Sequence, residues 1–221
     1  MAARAALVLA LVSSLTVVAC GGGEKKVEAP KSTGCPSGMV EVIGKTAAST
    51  YCLDRTEVTL GSYLECVGKA LCSNVGEGRD CNRDSLATQL HPVNCVDAKQ
   101  SEAYCAGQGK RLPTEDEWEW AARGGKAGAR DLGPGTCWSG GMPQRGTCPV
   151  DRRGAEENAL GLVDMAGNVA EWTSSGTDDA RTVRGGGWGS TAAGDLAPTA
   201  RHVVTPATRN AGLGFRCAKA R

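Results

Sequence analysis

The chain has 221 residues, with 25 Lys and Arg against 24 Asp and Glu, for a formal net charge of +1. So even a balance supplies no field for nucleic acid or for a strongly acidic substrate. Aromatic residues are only 4% of the chain while Gly fills 31 positions, which suits a loop-rich fold rather than one built from long regular elements.

In chain order, the first feature is an export signal. Arg4 supplies a positive start, and Ala5 to Val18 is apolar except for Ser13, Ser14 and Thr16. That run is too short to span a bilayer as a helix, so residues 1–19 read as a signal peptide. Val17-Val18-Ala19 before Cys20 resembles the lipobox of bacterial lipoproteins. The resemblance implies a mature chain lipidated at Cys20, anchored in the bacterial cell envelope. By the same analogy, Gly21 in place of an acid points to the outer membrane rather than the inner one. The alternative is an ordinary secretory signal with Cys20 removed or paired. Residues 20–34, rich in Gly, Lys and Glu without apolar periodicity, read as a flexible tether ahead of one domain over 35–221.

Short strands are expected over Met39–Ile43 and Tyr51–Asp54. Thr59 can cap a helix running to about Val67, with Gly68 as its stop, and Asp97 can cap a second ending at Ala106-Gly107. Thr114 with Glu117 three residues on forms a capping box worth about 1 kcal/mol for a third helix. Trp118, Ala121 and Ala122 share its inner face and Gly124 ends it. Residues 125–159 are Gly-rich, and short strands follow at Thr182–Arg184 and Gly214–Arg216. With a single Phe available, the five Trp (118, 120, 138, 172 and 188) are expected in the core.

Cys20 aside, ten cysteines remain: Cys35, Cys52, Cys66, Cys72, Cys81, Cys95, Cys105, Cys137, Cys148 and Cys217. An even count in an exported chain implies a disulfide framework. There is no CxxC, and His91 and His202 are the only histidines, which argues against a structural zinc site. Cys137 and Cys148 flank a Gly-rich loop and are expected to pair locally. For the rest the sequence leaves the pairing open, with Cys35–Cys52 favoured.

Four motifs occur in order: GKRLPTEDEWEWAARGG (109–125), GLVDMAGNVAEW (161–172), VRGGGW (183–188) and GLGFRC (212–217). Together they resemble the sulfatase-modifying-factor family, whose type member is the formylglycine-generating enzyme. The resemblance covers about residues 36 to 219 and implies an α+β fold, a loop-rich and disulfide-stapled variant of the C-type lectin-like fold. It also implies a Cys105–Cys217 bridge, whose closed loop would carry roughly 4–5 kcal/mol of chain entropy. Arg111, Arg123 and Arg216, inside the motifs, are expected to tie loops to one another.

The family's chemistry maps unevenly onto this chain. Relatives hold a structural calcium that would fall on Asp164 and Glu171 by side chain and on Gly167 and Val169 by carbonyl, hard oxygen donors that suit Ca²⁺. The enzyme also binds copper through two cysteines after its GGS-aromatic segment, and those positions are Ser190 and Asp195 here. Copper(I) is soft and needs thiolates, and no cysteine lies between Cys148 and Cys217. An aromatic of the family's GNxWEW motif is also replaced, by Ala170. Copper is therefore not expected, and no residue is assigned a catalytic role. Ser190, Asp195 and His202 form no hydrolytic motif, because no GxSxG elbow accompanies them.

The expectation is a membrane-tethered, non-catalytic binding module of the envelope. Its partner would be a protein, peptide or glycan, and nucleic acid is excluded. Trp188, Arg201 and His202 would line its groove, with Ser190, Asp195 and Arg209 nearby. The alternative is an active oxidase that converts sulfatase-type cysteines to formylglycine.

Overall fold

The computed structural model describes residues 34–44, 49–83, 86–125, 137–138, 146–152 and 155–221. The expected signal peptide, Cys20 and all but the last residue of the tether lie outside the described residues. Among those described, no helix is long and apolar enough to cross a membrane.

Three helices form where their caps predict. Helix α1 (Leu60–Gly68) begins after Thr59, whose side chain accepts a hydrogen bond from Ser62 N. Helix α2 (Ala98–Gly107) carries a full capping box between Asp97 and Gln100. Helix α3 (Glu115–Ala122) carries another between Thr114 and Glu117, and Glu115, Asp116 and Glu117 face its positive end. The capping side chains satisfy backbone N–H groups that a helix start otherwise leaves unpaired. Gly124 follows α3 at φ +71°, a conformation a side chain would resist.

Two sheets complete the architecture. In the first, β1 (Met39–Val42), β2 (Tyr51–Asp54) and β7 (Ala218–Ala220) lie in the order β1-β2-β7, both pairs antiparallel. The second has the order β5-β4-β3-β6, from β3 (Ala170–Gly176), β4 (Arg181–Arg184), β5 (His202–Val204) and β6 (Leu213–Gly214). Within it β3 and β6 are parallel and the other pairs antiparallel. The C-terminal strand expected over Gly214–Arg216 is shorter than the sequence suggests. Beyond Gly214 the backbone turns to the β2–α1 connection, where Val58 N donates to Phe215 O and Asp54 N to Cys217 O, each at 2.9 Å. Strands β3, β5 and β7 have no counterpart in the sequence reading, because AEWTSSG and AKA lack both an apolar run and clean alternation.

The core has two parts. One gathers Leu60, Tyr63, Val93, Leu112, Trp172 and Phe215 around Cys105 and Cys217, with Tyr63, Tyr104 and Phe215 in mutual ring contact. The other packs Val42, Tyr51, Leu53, Leu162 and Ala218 against Trp118 and Ala121 of α3. Trp118 and Trp172 are fully buried, but Trp120, Trp138 and Trp188 are only half-buried. Each of these three turns its indole N–H to a backbone carbonyl: Ile43, Ser190 and Ala211 respectively. An indole at the rim can stay wet on one side while keeping its donor satisfied.

All ten cysteines of the domain are bonded, as Cys35–Cys52, Cys66–Cys72, Cys81–Cys95, Cys105–Cys217 and Cys137–Cys148. The long bridge implied by the family resemblance and the local one across the Gly-rich loop both form.

Candidate functional site

The GLVDMAGNVAEW segment turns tightly before entering β3. Asp164 and Asn168 adopt left-handed backbone angles of +53° and +56°, with Gly167 between them at +91°. Short polar side chains tolerate that region by bonding locally. Asn168, fully buried, accepts from Cys148 N at 2.9 Å and donates to Cys148 O at 3.3 Å. Its own N–H donates to Cys137 O at 2.8 Å, so one residue clamps both ends of the Cys137–Cys148 loop.

Below this turn lies a buried ionic centre. Glu171 and Arg216 are almost fully excluded from solvent and meet at 2.8 Å. Arg216 Nε reaches both Glu171 oxygens, and its two terminal nitrogens also donate to the carbonyls of Asp54, Arg55 and Val163. Trp118 Nε1 donates to Glu171 Oε2 at 2.7 Å, tying α3 to β3. A guanidinium is the one side chain that can serve this many acceptors in a plane. As the motif position suggested, Arg216 ties loops together. Arg111 and Arg123 instead bond chiefly to the acids of α3, Glu117 and Glu119.

Asp164 is also buried, and Arg152 grips it in a two-pronged pair at 2.6 and 2.8 Å. Burial pushes the Asp164 carboxyl up from its ordinary range, while the Arg152 and Arg216 charges pull the other way. Glu57, 1% exposed, completes the centre, and neither of its carboxylate oxygens has a hydrogen-bond partner. Burial, then the charge of Asp164, pushes its pKa well up, with Arg216 opposing.

This geometry bears on the calcium expected at Asp164, Gly167, Val169 and Glu171. Both carboxylates are present in the same loop, but each is already bound in two-pronged fashion by a guanidinium. Among the described residues no group of three or more His, Cys, Asp or Glu side chains is placed to hold a metal ion. As arranged, the four residues do not fit a calcium cage, because Arg152 and Arg216 hold the two carboxylates it would need. Glu57 and Arg152, which sit at this centre, were not singled out from the sequence. The available signal for Glu57 was an acid inside the apolar-flanked run TEVTL; Arg152 had none, being one of two adjacent arginines that read as solvated surface.

The VRGGGW segment runs alongside. A Cβ on Gly185 would lie 2.9 Å from Trp118, so the close packing of this turn on the indole requires glycine. Gly186 is wedged against Ser190 Oγ and the backbone carbonyl of Asp195, so the two positions expected to replace the copper cysteines do lie around one glycine. Ser190 Oγ accepts a hydrogen bond from Gly187 N at 3.1 Å, and Trp138 Nε1 donates to the Ser190 carbonyl at 2.6 Å. Asp195 is half-buried in a short 3-10 turn, Ala193–Leu196.

The expected groove residues disperse in their contacts. Trp188 is held by Asn168 and Ala211. Arg201 binds Glu115 of α3 at 2.8 Å and Thr182 of β4 at 3.1 Å. His202 is exposed on the edge strand β5 opposite Val183, and Arg209 reaches Asp97 at the start of α2. A cavity of about 590 Å³ opens elsewhere, lined by Tyr51, Arg111, Asp116, Glu117, Trp120 and Arg123 among others. None of the expected groove residues lines it.

A short antiparallel sheet, a short mixed one, three helices and long stapled loops define this as an α+β domain of the C-type lectin-like kind. Solved structures share it: PvdO from Pseudomonas aeruginosa (TM-score 0.65, 22% identity, covering 78% of this chain and 81% of that one) and CarF (TM-score 0.63, 24% identity, covering 84% and 94%). The Treponema denticola variable protein 1 aligns with a TM-score of 0.60 at 24% identity over 78% of this chain and 85% of that one. These likenesses concern the fold alone.

The chain belongs to the sulfatase-modifying factor enzyme 1-like domain family, whose model matches residues 14–221. It is similar to the inactive C-alpha-formylglycine-generating enzyme 2 of Bos taurus, with 39% identity over 150 residues, covering 58% of this chain and 50% of the relative. It is likewise similar to the formylglycine-generating enzyme of Streptomyces coelicolor, with 36% identity over 166 residues, covering 58% and 52%. The chain thus spans about half the length of these curated relatives.

Proposed function

We propose that this protein is a non-catalytic member of its family that binds a protein, peptide or glycan ligand at the bacterial cell envelope, held to the membrane by a lipid on Cys20. One observation carries the reading. Every cysteine from Cys35 to Cys217 is consumed in a disulfide, so the domain offers no thiolate pair for copper(I). The positions that would supply the pair are a serine whose hydroxyl already accepts a backbone hydrogen bond and a half-buried aspartate. Hard oxygen donors of this kind do not hold copper(I). The names of two similar mammalian proteins carry the word inactive, which agrees with this reading.

Alkylation of the denatured, unreduced domain followed by intact-mass measurement tests it. No alkylated cysteine is the expected result; two reactive thiols would reopen the oxidase reading. Incubation with a CxPxR peptide, copper and oxygen should leave the peptide mass unchanged. Loss of mass corresponding to conversion of its cysteine to formylglycine would refute the proposal. Binding is tested by screening envelope glycans and peptides against the wild type and the W188A and R201A variants; a ligand that both variants hold as tightly as the wild type would dismiss Trp188 and Arg201 as its site. Labelling with radioactive palmitate in a bacterial host checks the anchor, and a C20A chain should take up none.

A further inference from the structure

We infer that Arg152 does in this chain the work that a divalent cation would do in its Asp164 loop, so that the domain holds this loop without metal. The inference starts from burial. Asp164 has a fully buried side chain, in a turn whose left-handed backbone short polar residues such as Asp and Asn tolerate. A carboxylate taken out of water there requires a positive partner. Relatives would meet that need with calcium. Here Arg152 meets it, with both carboxylate oxygens bound at 2.6 and 2.8 Å and its own side chain only 18% exposed.

Charge and geometry agree on this substitution. Asp164 and Glu171 are each matched by one guanidinium, Arg152 and Arg216, so the ionised pairs balance. A calcium ion added to this arrangement would have to compete with Arg152 for both Asp164 oxygens and would meet two fixed positive charges nearby. Glu57 adds a third acid whose oxygens stay unpartnered. With Arg152 removed, Asp164, Glu171 and Glu57 would share the centre with Arg216 alone, a deficit of positive charge that a dication suits. Arg152 is also placed to serve: its guanidinium hydrogen-bonds Pro149 O at 3.2 Å, and the neighbouring Cys148 backbone is clamped by Asn168. The internal cation is therefore delivered on a loop stapled to the same turn.

The test compares thermal melting in excess EDTA and in millimolar CaCl₂. The wild-type domain should melt at the same temperature in both, within about 1 °C, because a ligand that does not bind cannot shift the transition. R152A should melt lower than the wild type in EDTA, by roughly 5 °C or more, and should recover part of the loss in calcium. Calcium stabilisation of the wild type would overturn the inference. So would an R152A variant that folds but ignores calcium. Should R152A not fold, R152M/D164N, which removes both charges, decides the matter. That variant should fold and melt alike in both buffers. Its failure to fold, or its stabilisation by calcium, would mean that Arg152 is not acting as a counter-charge to Asp164.

Discussion

Replacing Arg216 by lysine probes the buried ionic centre most directly. Arg216 is fully buried and spreads its donors over Glu171 and the carbonyls of Asp54, Arg55 and Val163. Lysine keeps the charge but brings three donors on one nitrogen, which cannot reach acceptors on opposite sides of a guanidinium. At least one carbonyl and one Glu171 contact must be lost. Breaking a buried pair costs about 3–5 kcal/mol, and each buried acceptor left bare costs about 1–3 kcal/mol. Retained charge offsets part of this, so R216K should lose about 3–5 kcal/mol, a large share of the roughly 5–15 kcal/mol typical of a domain. Urea unfolding of the disulfide-intact protein, followed by Trp fluorescence, would report it as a fall in midpoint at constant slope. The double variant R216M/E171M should be more stable than R216M alone, because removing both charges leaves none uncompensated. A loss below about 1 kcal/mol for R216K would refute the assignment of Arg216 as the centre's hub.

Three further outcomes are expected. Converting Cys105 and Cys217 to alanine opens a loop of 112 residues, shortened slightly by the Cys137–Cys148 staple inside it, and should cost about 4.7 kcal/mol by urea titration at otherwise intact disulfides; a loss under about 1 kcal/mol would mean that the chain entropy argument fails here. E57Q should stabilise the domain at neutral pH. Burial and the charge of Asp164 hold the Glu57 pKa above its unfolded value, so this group costs nothing below the unfolded pKa and stability falls as pH rises toward the folded one. The melting temperatures of wild type and E57Q should converge in acid and separate toward neutrality, and parallel profiles would contradict the reasoning. T114A removes the hydroxyl that accepts from Glu117 N at 3.1 Å and should cost about 1 kcal/mol, measured by the same urea titration; no change would show that the Glu117–Arg111 pair holds the helix start unaided.

What could be read from the chain is what depends on local chemistry. The caps at Thr59, Asp97 and Thr114 act within three residues, so all three helix starts were legible. Motif order carried the family and the C-type lectin-like fold. Cysteine parity implied a disulfide framework, and short spacing picked out the Cys137–Cys148 pair. Strands β3 and β7 were not legible because their residues are polar or small, and β7 pairs with β2 from the far end of the domain; β5, only His202–Val204, is too short a run to mark a strand. The number of aromatic residues could not say which tryptophans would be buried, because that depends on which face of each element meets the other core layer.

The ionic centre divides in the same way. Acids at 164 and 171 were visible as oxygen donors in a glycine turn, and the family resemblance implied calcium there. Whether a carboxylate faces a metal or an arginine depends on what the rest of the chain brings to it. Arg152 arrives from a stapled loop, Arg216 from 45 residues downstream of Glu171 and Glu57 from more than a hundred upstream of Asp164. The sequence determined which charges the domain has to bury. Only the tertiary structure decided how they are matched, because electrostatic compensation inside a core acts across space rather than along the chain.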